Sequence, residues 1–263
     1  ADASHLVVPD DPSRLRRPAP AVEGIAAAAT LLNGSKTPLI LAGGGAVKSA
    51  ERLQALAETL DAPVVMTTNA RGILSPDHPL GVSLTASMPQ TRALVAAADV
   101  VLALGTELGP TDYDFYEDGG FAIPGKLIRV DIDPAQIMRS HMPSLGLVGD
   151  VGEALAQLTP LIAPRAPGSG SDRARIANGG RADLPRPMRA GLRILDLIRK
   201  TLPDALIVGD STQLVYAGNT AFAASVPGGY FNSATGFGTL GYGLPAAIGA
   251  ALGLDAERLD EHL

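Results

Sequence analysis

Pro38-Leu39-Ile40-Leu41-Ala42-Gly43-Gly44-Gly45 is an uncharged apolar run that passes straight into glycine. A run this short and uniformly apolar reads as a strand buried on both faces. The glycines let the chain turn sharply into a helix after Lys48, on which Leu53, Leu56, Ala57 and Leu60 share one face. Burial on both faces marks a parallel sheet covered by helices, because each parallel connection has to cross over the sheet. The chain repeats this grammar. Pro63-Val64-Val65-Met66 reads as a strand, Thr91 to Ala98 as a helix, and Asp99-Val100-Val101-Leu102-Ala103-Leu104 as a strand ending at Gly105. Lys126-Leu127-Ile128-Arg129-Val130 follows, closing on Asp131 and Asp133, and Leu147-Val148-Gly149-Asp150 precedes a helix through Leu158. Upstream, Val22, Ile25, Ala29 and Leu32 predict a helix with Gly34 as a left-handed stop.

Working outward, residues 1–20 are rich in acids and prolines and carry Arg14, Arg16 and Arg17 without a period that buries a face, so they read as a linker or extended arm. Residues 21–163 form the central α/β domain. Residues 164–187 turn to Pro, Gly, Ser and Arg with almost no large apolar side chain, which predicts an interdomain linker. Residues 188–263 open a second α/β unit: a helix carrying Leu192, Leu195 and Ile198, the strand Ala205-Leu206-Ile207-Val208, and the turn Gly209-Asp210-Ser211-Thr212-Gln213. It continues through a second glycine run to a helix from Leu244 to Leu252. Roughly 75 residues make a poor free-standing sheet domain, so this unit is expected to be truncated.

Composition narrows the function. The 263 residues are 46% hydrophobic and carry 21 basic against 27 acidic side chains, a net charge of −6 that offers no basic field to nucleic acid or anionic lipid. No apolar run is long enough to span a membrane, and the absence of cysteine removes disulfides, thiolate nucleophiles and zinc–sulfur sites. The reading is cytoplasmic. His5, His78, His141 and His262 lie far apart and read as surface residues rather than metal ligands, and neither a G-x-S-x-G elbow nor a Walker lysine occurs.

Four features could carry chemistry, each with a plainer reading beside it. Gly43-Gly44-Gly45 could admit a phosphate or simply make a tight turn. Asp131 and Asp133 could take ribose hydroxyls or cap the helix opening at Pro134. Ser211, Thr212 and Gln213 set hydroxyls and an amide at a strand end, where they could bond a diphosphate or cap a helix. Gly236-x-Gly238-x-x-Gly241-x-Gly243, before Leu244-Pro245, implies backbone pressed against something flat or against other backbone.

These stretches also match a known family. The runs 38–45, Arg71-Gly72-Ile73-Leu74-Ser75-Pro76-Asp77-His78-Pro79-Leu80-Gly81, 99–105 and Val130-Asp131-Ile132-Asp133-Pro134 resemble, in that order, the Rossmann-like (DHS-like) middle domain of thiamine diphosphate enzymes of the acetolactate synthase and 2-oxo acid decarboxylase group. The run from Gly236 to Ala250 resembles the start of the family's diphosphate-binding domain, a thiamin diphosphate-binding fold cut short here. The resemblance implies that the Gly238 carbonyl and the Leu240 N–H, with Thr239 between them, meet the aminopyrimidine, that the Leu240 side chain wedges the cofactor into its bent form, and that Ser211, Thr212 and Gln213 meet the diphosphate. It implies thiamine diphosphate and Mg2+ as cofactors. The metal-binding Gly-Asp-Gly with its Asn and the catalytic glutamate have no counterpart here, so metal ligands and catalytic groups are expected outside this chain, which alone should be inactive. The family's flavin stretches read here as Thr85-Ala86-Ser87-Met88 and Glu107 to Asp112, so FAD is not expected. Non-oxidative decarboxylation of a 2-oxo acid is the first expectation, with similarity to decarboxylases of 2-oxoarginine around 210–219. An acetolactate synthase-like carboligase or a noncatalytic nucleotide or FAD module are the alternatives, and a homodimer or homotetramer is implied.

Overall fold

The computed structural model describes residues 16–260, with side chains as far as Leu254. His5, Arg14, His262 and most of the expected arm lie outside the described residues. The elements run α1 (Val22–Gly34), β1 (Pro38–Ala42), α2 (Ala50–Leu60), β2 (Val64–Met66), β3 (Gly81–Val82), α3 (Pro89–Ala96), β4 (Val100–Leu104), α4 (Pro110–Tyr113), β5 (Lys126–Asp131), α5 (Pro134–Ile137), β6 (Leu145–Val148) and α6 (Val151–Leu158). After these come α7 (Ser169–Asn178), α8 (Arg186–Thr201), β7 (Ile207–Gly209), α9 (Gln213–Ala221), β8 (Tyr230–Asn232) and α10 (Gly243–Asp260).

The first six strands form one parallel sheet in the order β3-β2-β1-β4-β5-β6, the order of dinucleotide-binding sheets. Strands β1, β2 and β4 are apolar throughout, and β5 is apolar apart from its two ends and the buried Arg129, because successive side chains enter two different cores. Ile40, Ala42, Val64, Met66, Leu102, Leu104, Ile128 and Val130 meet the residues of α1, α2 and α6 on one face. Leu39, Leu41, Val65, Val101, Ala103 and Leu127 face the opposite layer, which includes Leu94 and Val95 of α3 and Ala174 and Ala177 of α7. That layer continues into Leu192, Leu195, Ala217, Phe222 and Tyr230, so the second α/β unit, with the parallel pair β7-β8, is built onto the far face of the central sheet.

Two expectations need correction. The segment 164–187 is not a bare linker: α7 lies against α3 and β3, with Gly170, Ala174 and Ala177 buried. Counting large apolar residues misses this, because small residues let a helix sit close. Its start is held by Asp61, whose carboxylate accepts the Gly168 and Gly170 N–H groups at 3.3 and 2.8 Å, and Arg173 donates to Pro38 O at 3.1 Å. Gly34, in turn, is no left-handed stop, since α1 ends on Ser35 in extended backbone, whereas α2 ends on Asp61 at φ 47°. At the described end of the arm, Arg17 pairs with Asp150 and Pro18 O accepts the Asp150 N–H, which seats 16–20 on the turn into α6.

Candidate functional site

An open α/β sheet offers a ligand crevice where the strand order reverses, here between β1 and β4. That crevice is closed. The Gly43 N–H donates to Leu104 O at 2.9 Å and the Gly45 N–H to Gly105 O at 3.1 Å. A Cβ on Gly43 would lie 2.2 Å from Gly105 O, and one on Gly105, at φ 57°, would lie 2.7 Å from the Gly45 Cα. These glycines serve backbone-to-backbone contact, the plainer of the two readings. Asp133 likewise takes its capping reading, its carboxylate accepting the Ala135 N–H at 2.8 Å. His78 and His141 are partly buried rather than surface residues. His78 Nδ1 accepts the Leu80 N–H, so its Nε2 donates to Glu58, and His141 stands edge-on to Phe121.

The second glycine run is different. Gly238 and Gly241 adopt φ 67° and 79°, and a Cβ on either would meet nothing within 4 Å. Phe237 is fully exposed and Leu240 is 82% exposed, so the run presents open backbone flanked by apolar side chains. Beneath it lie the ends of β7 and β8. The Ser211 hydroxyl sits 3.1 Å from the Ser233 hydroxyl and 3.4 Å from Gly238 O, and the Gly238 N–H donates to Ser233 O at 2.9 Å. Hydrogen bonds from the Gly243 N–H (3.0 Å) and the Ser211 N–H (2.8 Å) hold the Asp210 carboxyl below the usual carboxylate range, which ties the start of α10 to the end of β7. Thr212 caps α9, accepting the Val215 N–H at 3.4 Å, and Gln213 opens that helix on the exposed side. The fold thus joins Ser211 to Gly238, puts Thr212 and Gln213 at the N-terminus of α9, and leaves Thr239 and Leu240 projecting at the rim.

A further set was not visible in the sequence. Asn219 Oδ1 accepts the Tyr230 hydroxyl at 3.0 Å and Asn232 Nδ2 at 2.8 Å, and Asn232 Oδ1 accepts the Ala234 N–H at 3.0 Å. Burial pushes the Tyr230 phenol above its ordinary range, which keeps it a donor at neutral pH. This cluster fixes the turn at Ser233 against α9. Only the isolated Asn residues within otherwise apolar stretches could have hinted at it.

Residues 25–158 match the family described as thiamine pyrophosphate enzyme, central domain, and residues 210–261 match its C-terminal TPP binding domain. The chain belongs to the thiamine pyrophosphate enzymes. It is 40% identical over 247 residues to a probable 2-ketoarginine decarboxylase of Pseudomonas aeruginosa, covering 90% of this chain and 43% of that protein. It is 30% identical over 246 residues to the acetolactate synthase isozyme 1 large subunit of Escherichia coli, covering 89% and 42%. It is also 32% identical over 241 residues to a probable acetolactate synthase large subunit of Methanocaldococcus jannaschii, covering 85% and 40%. The chain therefore spans about two fifths of the length of these curated relatives.

The glycine run and the start of α9 would fit an aromatic, diphosphate-bearing cofactor. Open glycine backbone with apolar side chains at its rim leaves room for flat rings, and the N-terminus of α9 offers N–H groups suited to an anion. A metal site is another matter: among the described residues, no group of three or more His, Asp or Glu converges.

Proposed function

We propose that this chain is part of a thiamine diphosphate-dependent enzyme acting on 2-oxo acids, chiefly by non-oxidative decarboxylation. The observation that carries this is the open 236–241 backbone standing over Ser211 at the start of α9, within a stretch matching a TPP binding domain. Bound thiamine diphosphate supplies the electron sink for the pair released as the carboxylate carbon leaves. The Gly238 carbonyl, which the Ser211 hydroxyl contacts at 3.4 Å, would accept from the aminopyrimidine of the bound cofactor. Leu240 would pack against the cofactor rings and help shield them from water, and Ser211, Thr212 and Gln213 would hold the diphosphate at the start of α9.

The 40% identity to a probable 2-ketoarginine decarboxylase supports a 2-oxo acid with a long or basic side chain. Acetolactate synthase-like carboligation is the second reading, supported by relatives at 30 and 32% identity. The closed crevice between β1 and β4 gives no support to a noncatalytic nucleotide or FAD module. Assembly as a homodimer or homotetramer and a cytoplasmic location belong to the same proposal. No helix among the described residues is long and apolar enough to cross a membrane, and cysteine is absent.

The test is Leu240→Asp in the full-length protein, assayed for carbon dioxide release from a 2-oxo acid panel and for acetolactate from pyruvate. Because Leu240 is 82% exposed, the melting temperature should stay put while turnover falls at least about tenfold, the factor for ~1.4 kcal/mol. Unchanged turnover would remove Leu240 from the site, and acetolactate as the main wild-type product would favour carboligation.

A further inference from the structure

Arg71 is fully buried between the two units, and among the described residues no carboxylate hydrogen-bonds to it. Its guanidinium donates from Nη1 to Phe222 O and from Nη2 to Asn219 O, both at 2.9 Å. Those carbonyls end α9, the helix whose other end carries Ser211, Thr212 and Gln213. A cation on the last carbonyls of a helix complements both the unpaired acceptors and the macrodipole. Burial pulls Arg71 down to about 10, so it stays charged at neutral pH. Around it the backbones interlock. Gly72, at φ 89°, sits where a Cβ would lie 1.9 Å from Val226 O, and the Thr85 N–H donates to Thr220 O at 2.8 Å.

A buried cation is a poor means of gaining stability, since an apolar side chain of similar volume generally serves as well or better. What Arg71 provides is direction, because its planar fork meets two carbonyls only when α9 stands at one angle to the central sheet. From Asn219 the chain of contacts runs on through Asn232 and Ser233 to Ser211 and Gly238. We propose that Arg71 is a positioning residue of the cofactor site: it anchors the C-terminal end of α9 to the central domain and so sets where the diphosphate-facing end and the Gly238 loop stand. This rests on the function proposed above and adds a residue that touches no cofactor atom.

The experiment uses the full-length protein with Arg71→Met and Arg71→Lys, measuring thiamine diphosphate affinity with Mg2+ by calorimetry, kcat at saturating cofactor, and amide hydrogen exchange in the cofactor-free state. For Arg71→Met, the cofactor Kd should rise about tenfold, the factor for ~1.4 kcal/mol of lost cation–carbonyl bonding. Amides of 213–222 should exchange faster while those of β1, β4 and β5 do not change. Once cofactor is saturating, kcat should stay within about twofold, since no reacting group has been removed. Arg71→Lys should recover part of the affinity, because one ammonium reaches one carbonyl, and it serves alone if the Met variant does not fold. An unchanged Kd in a folded variant, or unchanged exchange in α9, would overturn the proposal. If wild-type protein binds no thiamine diphosphate, the functional reading fails. Exchange in α9 then still decides the anchor: faster exchange upholds it and unchanged exchange overturns it.

Discussion

Gly43 and Gly44 stand side by side in one glycine run, yet the structure assigns them opposite tolerances. Gly43 has φ −108°, which any residue adopts, so Gly43→Ala carries no backbone strain and its whole cost comes from contact. The new Cβ would lie 2.2 Å from Gly105 O and 2.6 Å from the Thr106 Cα. Reaching ordinary contact at 3.4 Å means opening the β1 and β4 turns by about 1.2 Å. That movement stretches the hydrogen bonds from Gly43 N–H to Leu104 O and from Gly45 N–H to Gly105 O beyond useful length. Two such bonds at ~1 kcal/mol each, with the strain of an overfilled contact, give about 3 kcal/mol. In a domain of this size that is a melting temperature lower by roughly 6–12 °C. Gly44→Ala would meet only the Asn69 side chain, at 3.2 Å, and should cost under about 0.5 kcal/mol. Calorimetric melting of both variants of the intact protein is the assay. Equal melting temperatures, or a Gly43→Ala variant within about 2 °C of wild type, would refute the view that this turn is a closed contact and would reopen the crevice to a ligand.

Two further outcomes follow from the same geometry. At Asp99, burial raises the carboxyl, but hydrogen bonds from the Lys36 N–H, the Ser35 hydroxyl and the Thr37 N–H outweigh it and bring it down to about 2. The stabilisation is then present above the unfolded value of about 3.9 and is lost as pH falls from there toward about 2. Asp99→Asn should cost about 1 kcal/mol at neutral pH, given the exposure of the site, and flatten the acid limb of a stability titration. Asp61→Ala should release the start of α7 at about 1–2 kcal/mol. Trypsin cleavage at Arg165, Arg173 and Arg175 should accelerate, and unaltered cleavage would show that α7 is held by other contacts.

How legible the molecule was depended on the range of each interaction. The strands β1 and β4 declared themselves because both sheet faces are covered, which leaves no polar position in their interiors, and β5 did so despite the buried Arg129 at its centre. The two-residue β3 and the single turns α4 and α5 are too short to show a period. The helix α7 escaped notice because Gly170, Ala174 and Ala177 make its contact surface, and small residues look the same in a loop. In the proposed site, the glycine spacing drew attention to Gly238 and Leu240, and the strand end to Ser211. Gly43 to Gly45 stayed ambiguous because approach to a phosphate and approach to another backbone make the same demand for a missing Cβ. Arg71 opens the run 71–81, but its role and those of Asn219 and Asn232 gave no signal, since Arg71 and Asn219 are partners 148 residues apart in sequence and an Arg donating to carbonyls leaves no matching acid to find.

The joint at Arg71 also has a history in time. Phe222 lies 151 residues downstream, so at synthesis rates of about 5–20 residues per second Arg71 is made roughly 8–30 s before the carbonyls that cover it. During that wait the position is bare. A leucine or methionine there would offer a sticky spot to other nascent chains, whereas a guanidinium is content in water and gives up its hydration only when α9 arrives. The charge that makes Arg71 an expensive residue to bury makes it a safe one to leave exposed while the rest of the polypeptide is still being made.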